Sequence, residues 1–236
     1  MTVFCYPTYN HMRHTFILLP LLATAAAGEP THRVVIDPGH GGSNLGAPTM
    51  AAGVHEKVLT LDLAHRLRAE IARLDPTAEV VLTRDRDRYV TLRGRAGVAN
   101  ARRADVLVSL HLNASRGARG EQSGFETYVY GAGPLLEPDD SASGAAAEIL
   151  ADLHGRAAAA LSSQLAATVQ RRLAEARGGA RDRGVRQAPL DVLREAHMPA
   201  VLVEAAFVDH PREGREILDA HVRQEIAAAI ALALVE

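Results

Sequence analysis

Three short apolar segments of the chain run directly into a histidine or a glutamate. RVVI leads through Asp-Pro-Gly to His40, DVLVSL leads to His111, and PAVLV leads to Glu204. Each segment has the length and composition of a buried β-strand. In an open parallel sheet the active site lies beyond the carboxyl ends of the strands, which meet at one edge. The sequence therefore predicts that these three side chains gather at one edge of a sheet.

A fourth candidate, Glu56, opens the first long helical pattern, after the loop GGSNLGAPTMAAGVH. A helix that begins there could return its first carboxylate to the same edge. Two imidazoles and one carboxylate form the ligand set of a catalytic zinc site with an open position for water. The remaining carboxylate could then take a proton from that water and deliver it to a leaving group.

Each residue also has an ordinary structural explanation. A single histidine after a strand is often a hydrogen-bonded structural residue, Glu56 could be an acid favoured by the helix dipole, and Glu204 could form a buried salt bridge with an arginine. The repetition of the pattern at successive strand ends favours one shared site. The other histidines are expected to be non-catalytic, with His197 the least certain because it lies near the Glu204 strand: His11, His14, His32, His55, His65, His154, His197, His210 and His221.

The glycine-rich segment GHGGSNLG follows a strand, as nucleotide-binding loops do. Asn44 stands where G-x-G-x-x-G requires its third glycine, and the segment lacks the Lys-Ser/Thr pair of a P-loop. We interpret the small residues as allowing a tight turn around a metal ligand. The sequence also contains no G-x-S-x-G motif, so it gives no support for a serine hydrolase.

The composition is that of one globular domain. The chain has 236 residues, of which 47% are hydrophobic, and its net charge is -2. With 4% aromatic residues and no tryptophan, nucleic acid is not an expected partner. Arginines are frequent in TRDRDRYVTLRGRAGVANARR, but Asp85 and Asp87 interrupt the run, and we expect a solvated loop and helix face there.

Residues 1–28 resemble a secretory signal peptide. Arg13 and His14 precede the apolar run TFILLPLLATAAAG, and the alanines that follow fit an A-x-A cleavage site. The run is too short to span a bilayer, so no stable membrane anchor is expected in the mature protein, which would be exported to the periplasm or the extracellular space. The alternative is a buried N-terminal helix. Cys5 is the only cysteine, and cleavage would leave a mature chain without disulfides.

Residues 29–236 are predicted to form a single α/β domain with a mostly parallel sheet of about six strands and helices on both faces. A low-complexity stretch at 131–156 interrupts the pattern. The expected strands are 33–36, 79–84, 105–110, 124–130, 184–193 and 199–204, and the expected helices are 56–74, 92–104, 157–177 and 212–235.

Five motifs, in order, resemble a known family. They are VVIDPGHGGSNLGA, GVHEKVLTLDLAHRL, VLTRDRD, LVSLHLNAS and RGVRQAPLDVLREAHMPAVLVEAAFVDHPRE. Together they are similar to the zinc-dependent N-acetylmuramoyl-L-alanine amidases of the Amidase_3 catalytic family, from about residue 33 to the C-terminus. The resemblance implies hydrolysis of the amide bond between N-acetylmuramic acid and L-alanine in peptidoglycan, with one zinc ion as cofactor.

The resemblance also implies individual roles. His40, Glu56 and His111 correspond to the zinc ligands, and Glu204 corresponds to the catalytic acid/base. One departure is Ala206, which stands where the family usually has glycine after the catalytic glutamate. It raises a question about the local backbone and removes no catalytic group.

Some members of this family carry an inserted helix that covers the zinc until a partner displaces it. The stretch 131–156 lies at the corresponding place and offers Glu148 as a possible blocking ligand, which would make an activator protein a partner. Three other functions stay open at this point. They are a zinc peptidase that cuts the stem peptide, a wall-binding module without catalysis, and a glycosidase that uses Glu56 and Glu204 as its two carboxylates.

Overall fold

The computed structural model describes residue 30, residues 32–131 and residues 145–236, with residues 145–154 described by their backbone alone. The segment 1–28, for which a signal peptide is expected, lies outside the described residues, as do 132–144 and the side chain of Glu148. The strands are β1 (Arg33–Pro38), β2 (Glu79–Leu82), β3 (Val106–Asn113), β4 (Phe125–Tyr130), β5 (Asp182–Ala188) and β6 (Ala200–Phe207). The helices are α1 (Glu56–Leu74), α2 (Leu92–Arg102), α3 (Ala145–Ala176), α4 (Asp191–Arg194), α5 (Glu213–Glu216) and α6 (Ala220–Val235).

The six strands form one sheet in the order β2-β1-β3-β6-β4-β5. All neighbours are parallel except β4 and β6, which are antiparallel. The short connection 114–124 starts β4 at the edge where β3 ends, so β4 must run back in the opposite direction. The prediction of a mostly parallel, six-stranded sheet is confirmed.

Helices cover both faces of the sheet, as predicted. On one face α1, α3 and α6 bury a large apolar cluster, to which α1 contributes Leu59, Leu63, Leu67 and Ile71 at helical spacing. The many alanines of α6 let it lie close to α1. On the other face α2 and α4 cover a smaller cluster that includes Leu107 of β3. No helix in the described part of the chain is long and apolar enough to cross a membrane.

Several predicted boundaries need correction. The DVL segment is the short helix α4 and does not continue β5, because the chain turns at Leu190 and its carbonyl accepts hydrogen bonds from 193 and 194. The helix predicted over 212–235 is interrupted at Asp219, whose side chain accepts a hydrogen bond from the backbone of His221 and begins α6. The helix predicted over 157–177 begins earlier, at Ala145.

A further correction bears on the site. β3 continues to Asn113 and β6 continues to Phe207. His111 and Glu204 therefore lie within paired strands and not beyond the strand ends. Their positions are fixed by the sheet and not by a loop.

Candidate metal centre and active site

His40 follows β1 in a tight loop and has an unusual backbone conformation. Its φ angle is 61°, in the left-handed region that residues other than glycine rarely adopt. Its Nδ1 lies 2.9 Å from Oδ1 of Asn44, and this contact suits a proton on Nδ1. The Arg95 guanidinium donates to the His40 carbonyl at 2.6 Å. The loop and the arginine thus present the Nε2 lone pair of His40 to the site.

Glu56 reaches the same place from the start of α1. The chain returns there through a bridge between Pro48 and His55, and the Glu56 N–H donates to the Ala47 carbonyl at 2.9 Å. The buried carboxylate then accepts two backbone hydrogen bonds, from the N–H of Ala47 to Oε2 and from that of Leu112 to Oε1, both at 3.0 Å. The predicted return of the first helix to the sheet edge is confirmed, and the carboxylate has one fixed orientation.

His111 completes the group from β3. Its ring lies edge-on to that of His40, with the ring centroids 4.8 Å apart. Gly39 packs directly on the His111 ring, so that any side chain there would overlap the imidazole. Only glycine at this position leaves room for the His111 ring.

The three side chains converge on one point. Glu56 Oε2 lies 2.9 Å from His40 Nε2, and Glu56 Oε1 lies 3.2 Å from His111 Nδ1. One ligand atom from each residue lies within 4.8 Å of the others. Burial opposes ionisation of Glu56, but hydrogen bonds from His111 and His40 hold its pKa well below the usual range. A charged carboxylate between two imidazoles is a donor set for a divalent cation.

The separations also fit the size of a zinc site. Zinc bonds of about 2.1 Å in a tetrahedral arrangement place neighbouring ligand atoms roughly 3.4 Å apart. One donor atom each from His40, Glu56 and His111 lies within 4.8 Å of the others, and the two Glu56 oxygens lie 2.9 and 3.2 Å from the histidine nitrogens that they face. His40, Glu56 and His111, the residues selected from the sequence as ligands, are therefore brought together in a way that suits the ion.

Glu204 lies on β6 directly opposite His111 of β3. Its Oε2 is buried and has no hydrogen-bond partner among the described residues. Burial raises the pKa of Glu204 to about 7; the carboxylates of Glu56 and Glu126 act in the same direction, and His111 and Arg116 oppose them. The part of the chain that the structure describes contains no salt bridge to Glu204, so the alternative of a buried ion pair finds no support. An unpaired carboxyl oxygen beside the candidate metal ligands is suited to proton transfer.

Two buried arginines support the loop that carries His40. Arg84 and Arg95 are 0% and 2% exposed, so the expectation of a solvated arginine-rich segment is wrong at these positions. Arg95 forms an ion pair with buried Asp37 at 2.7 Å and also donates to carbonyls within residues 38–40. Arg84 donates to carbonyls within the same three residues. Because neutral carbonyls and one carboxylate surround these arginines, both are structural parts of the site.

Glu126 is a site residue that the sequence analysis missed. It lies on β4 opposite Glu204, so that His111, Glu204 and Glu126 form a row across three strands. Its buried carboxylate contacts Arg183 and Arg186 and accepts from the side chains of Asn113 and Tyr128. The alternation in GFETYVY could have identified Glu126, because it places this residue on the face away from the α3 side.

The remaining described histidines do not join the site. His197, the least certain of them, is exposed, and its backbone N–H bonds to Asn100. His65 lies against the carbonyl of Asp85, and His210 accepts from the backbone of Glu213. Their separation from the metal ligands agrees with the sequence-based expectation.

A His-Glu-His cluster beside a glutamate with a buried, unpaired carboxyl oxygen, set in a mostly parallel sheet, is the architecture of an α/β metallohydrolase domain. The sequence pattern of Amidase_3, described as N-acetylmuramoyl-L-alanine amidase, matches residues 34–236. The chain belongs to this family.

Individual relatives agree with this assignment. The chain is 34% identical over 195 residues to the N-acetylmuramoyl-L-alanine amidase CwlM of Bacillus licheniformis, and the match covers 83% of this chain and 64% of CwlM. The crystal structure of an N-acetylmuramoyl-L-alanine amidase from Clostridium difficile 630 superimposes with a TM-score of 0.71 and 31% identity, over 87% of this chain and 96% of that one. The catalytic domain of CwlV from Bacillus (Paenibacillus) polymyxa gives a TM-score of 0.63 and 29% identity, over 86% and 96%. The chain thus spans slightly less than two thirds of the length of the curated relative CwlM.

Proposed function

We propose that this protein hydrolyses the amide bond between the lactyl group of N-acetylmuramic acid and L-alanine in peptidoglycan. The observation that carries the proposal is the convergence of His40, Glu56 and His111 on one point beside the unpaired carboxyl of Glu204. Membership of the amidase family supports the choice of substrate.

The three converging residues would hold one zinc ion. When bound, zinc supplies Lewis-acid chemistry, which polarises a carbonyl and makes water more acidic. The protein contributes the orientation of the ligands. Asn44 fixes the His40 ring, and two backbone N–H groups fix the Glu56 carboxylate, as hydrogen bonds to metal ligands commonly do.

Glu204 would move the protons of the reaction. Its Oε2 has no competing donor, so it is free to accept a proton from the attacking water and to pass it to the leaving amine. A pKa of about 7 suits both steps, because a group that must take and give a proton works best when its pKa is near the ambient pH.

The glycosidase alternative conflicts with the surroundings of Glu56. Both of its oxygens are engaged by backbone N–H groups and histidines, which leaves neither free to act as nucleophile or general acid. A stem-peptide zinc peptidase would use the same ligands, so the products must separate it from the amidase. A non-catalytic wall-binding module would have no use for the buried, unpaired carboxyl oxygen of Glu204.

The first experiment compares the wild type with Glu204→Gln on purified peptidoglycan, with metal content measured in parallel. We expect the variant to keep one equivalent of zinc and to lose about 100- to 10,000-fold in rate, the range for removal of a general acid or base. Glu121→Gln is the matched control, because Glu121 is exposed in the loop before β4. His111→Ala should instead lose the metal.

Mass spectrometry of the digest identifies the bond. Release of intact stem peptides with a free L-alanine amine, abolished by chelator and restored by zinc, is the expected result. Cleavage within the stem peptide, or full activity of Glu204→Gln, would refute the proposal.

Export and regulation belong to the same proposal. We infer from the sequence that residues 1–28 direct the protein to the periplasm or the extracellular space, which is where its substrate lies.

The stretch 131–156 would limit access to the site until an activator protein displaces it. Deletion of 135–153 should then raise the rate on purified peptidoglycan, and an unchanged rate would contradict this regulation.

A further inference from the structure

We propose that Arg186 forms an anion subsite that binds the free carboxylate of the stem-peptide residue following L-alanine. This inference rests on the proposed amidase function and names a determinant of its substrate specificity. It is derived from the row of polar side chains that crosses the sheet beside the metal ligands.

The direction of the substrate follows from the position of Glu204. A group that delivers a proton to the leaving amine must lie on the amine side of the scissile bond. The metal ligands come from β1, α1 and β3, whereas Glu204 is on β6, the next strand across the sheet. The sugar would therefore lie toward β1, and the peptide would extend past Glu204 over β4 and β5.

The next groups in that direction are Glu126 and its two arginines. Glu126 is the direct neighbour of Glu204 across the antiparallel pair, and Arg186 pairs with Tyr128 one strand further. Arg186 reaches back so that its Nε lies 2.6 Å from Glu126 Oε2. Its guanidinium is therefore about one strand spacing, roughly 5 Å, from the β6 position that Glu204 occupies.

That distance is within the reach of the proposed ligand group. An extended chain advances at most about 3.6 Å per residue, so the main-chain carboxylate of the second residue lies roughly 7 Å from the amine of the first. A peptide whose amine is at Glu204 would bring this carboxylate to the Arg186 guanidinium.

The cluster also has the required charge. Two guanidinium groups share the single carboxylate of Glu126, which leaves one positive charge uncompensated within the cluster. Arg183 is largely buried, lies over the Phe207 ring and donates to a backbone carbonyl. Arg186 is 46% exposed, and its terminal nitrogens make no hydrogen bond among the described residues.

These terminal nitrogens are oriented in advance. Because Nε is held by Glu126, and Glu126 is held by Asn113 and Tyr128, little side-chain freedom is left to lose on binding. A guanidinium with two parallel donors suits a carboxylate better than an ammonium group does.

Arg116 is the competing cation. It lies in the loop after β3, is exposed, and affects Glu204 electrostatically. It makes no hydrogen bond or ion pair with any described residue, so nothing in that part of the chain orients it. We therefore assign the subsite to Arg186, and Arg116 supplies the comparison variant.

The test compares two substrates that differ by one group, N-acetylmuramoyl-L-alanyl-D-glutamate and its α-carboxamide. We expect the wild type to prefer the carboxylate in kcat/KM by roughly 10- to 100-fold, the effect of one charged hydrogen-bonding pair. Arg186→Gln should reduce this ratio to near one. Arg186→Lys should keep part of the ratio, and Arg116→Gln should keep all of it.

Two results would overturn the assignment. An equal loss on both substrates in Arg186→Gln would mean that Arg186 only positions Glu126, and a collapsed ratio in Arg116→Gln would move the subsite to the loop.

A binding measurement separates these outcomes from failure of the amidase proposal itself. Zinc-loaded Glu204→Gln is titrated calorimetrically with L-alanyl-D-glutamate and with its α-carboxamide, with and without Arg186→Gln. Discrimination that depends on Arg186 supports the subsite even if neither substrate is cleaved, and its absence rejects the subsite.

Discussion

Replacement of Arg95 by methionine should be among the most destabilising single changes near the site. Arg95 is 2% exposed and forms an ion pair at 2.7 Å with Asp37, which is 0% exposed. The variant would leave the Asp37 carboxylate with only the hydroxyls of Thr83 and Ser109. Removal of one partner from a buried ion pair costs about 3–5 kcal/mol. We expect the free energy of unfolding to fall by this amount.

Arg84 provides a matched comparison. It is as deeply buried as Arg95, but the atoms that accept its hydrogen bonds are neutral, and burial together with the neighbouring Arg95 lowers its pKa to about 10. Arg84→Met leaves no unpaired charge. The Pro38 carbonyl keeps a donor from Arg95, and the Gly39 carbonyl keeps one from Thr60. The expected loss is about 1–3 kcal/mol, the cost of a lost buried hydrogen-bond partner.

The two variants also separate stability from metal affinity. Arg95 holds the carbonyl of His40, whose left-handed conformation costs about 1–3 kcal/mol and must be maintained by its surroundings. Loss of such support for a metal ligand typically weakens metal binding by about 10- to 100-fold. Arg95→Met should therefore bind zinc more weakly than wild type even under conditions where it is fully folded.

The assay is urea unfolding of the metal-free protein followed by far-UV circular dichroism, since the chain has no tryptophan. A competitive zinc titration with a chromophoric chelator gives the affinity. The double variant of Asp37→Asn with Arg95→Met should lose less than the sum of the two single losses, because it leaves no buried charge. If Arg84→Met destabilises the fold as much as Arg95→Met, or if the double variant shows additive losses, the reasoning about the unpaired charge is wrong.

Two further predictions concern the ligand loop and acid stability. Gly46→Ala should weaken zinc binding more than Gly53→Ala does. Both glycines have positive φ angles, but only a Cβ at Gly46 would press on the Glu56 carboxylate, at 2.7 Å. A chelator titration compares the two variants, and equal effects would point to backbone strain alone. Burial opposes ionisation of Asp62, but hydrogen bonds from Arg66 and Arg223 lower its pKa from 3.8, so its stabilisation is present above that pH and is lost as the pH falls through the lowered value. Asp62→Asn should therefore lower the free energy of unfolding at pH 7 by about 0.2–1 kcal/mol, and the difference from wild type should shrink as the pH falls below 3.8. A difference that stays constant throughout the acid range would contradict this assignment.

The clustering of His40, Glu56 and His111 could be predicted because local pattern identifies these residues. Each lies next to a segment whose burial is visible in the sequence, and Glu56 is the first residue of a helix whose apolar spacing fixes its start. Because parallel strands end at the same edge of a sheet, residues near those ends are expected to lie close together even when the order of the strands is unknown. The sequence gives no such guide to Arg95, whose partner Asp37 is 58 residues away. The segment around Arg95 is polar in composition. In the structure, however, the Arg95 guanidinium is buried against the backbone of residues 38–40, to whose carbonyls it donates.

The partner of Glu126 also depends on information that is not local. Strand alternation predicts the face on which Glu126 lies, but its neighbour Glu204 follows from the insertion of β6 between β3 and β4 and from the antiparallel register. The same register shows why the two glutamates differ in function. Both are carboxylates on adjacent strands, yet four side chains donate to or pair with Glu126, whereas Oε2 of Glu204 has no partner in the described part of the chain.

That difference assigns the roles. A carboxylate surrounded by donors is fixed in place and balanced in charge, so Glu126 is suited to holding Arg186 and not to exchanging protons. A carboxyl group deprived of donors has nothing to stabilise its charge except the nearby cations, and burial raises the pKa of Glu204 to about 7 as a result. The negative charge of Glu126 contributes to that shift, while the arginines around it leave a positive charge one strand further along the path of the substrate. The row across β3, β6 and β4, extended to Arg186 of β5, thus brings together a candidate metal ligand, a group suited to exchanging protons and the arginine proposed to bind a carboxylate, in the order in which an N-acylated peptide would meet them.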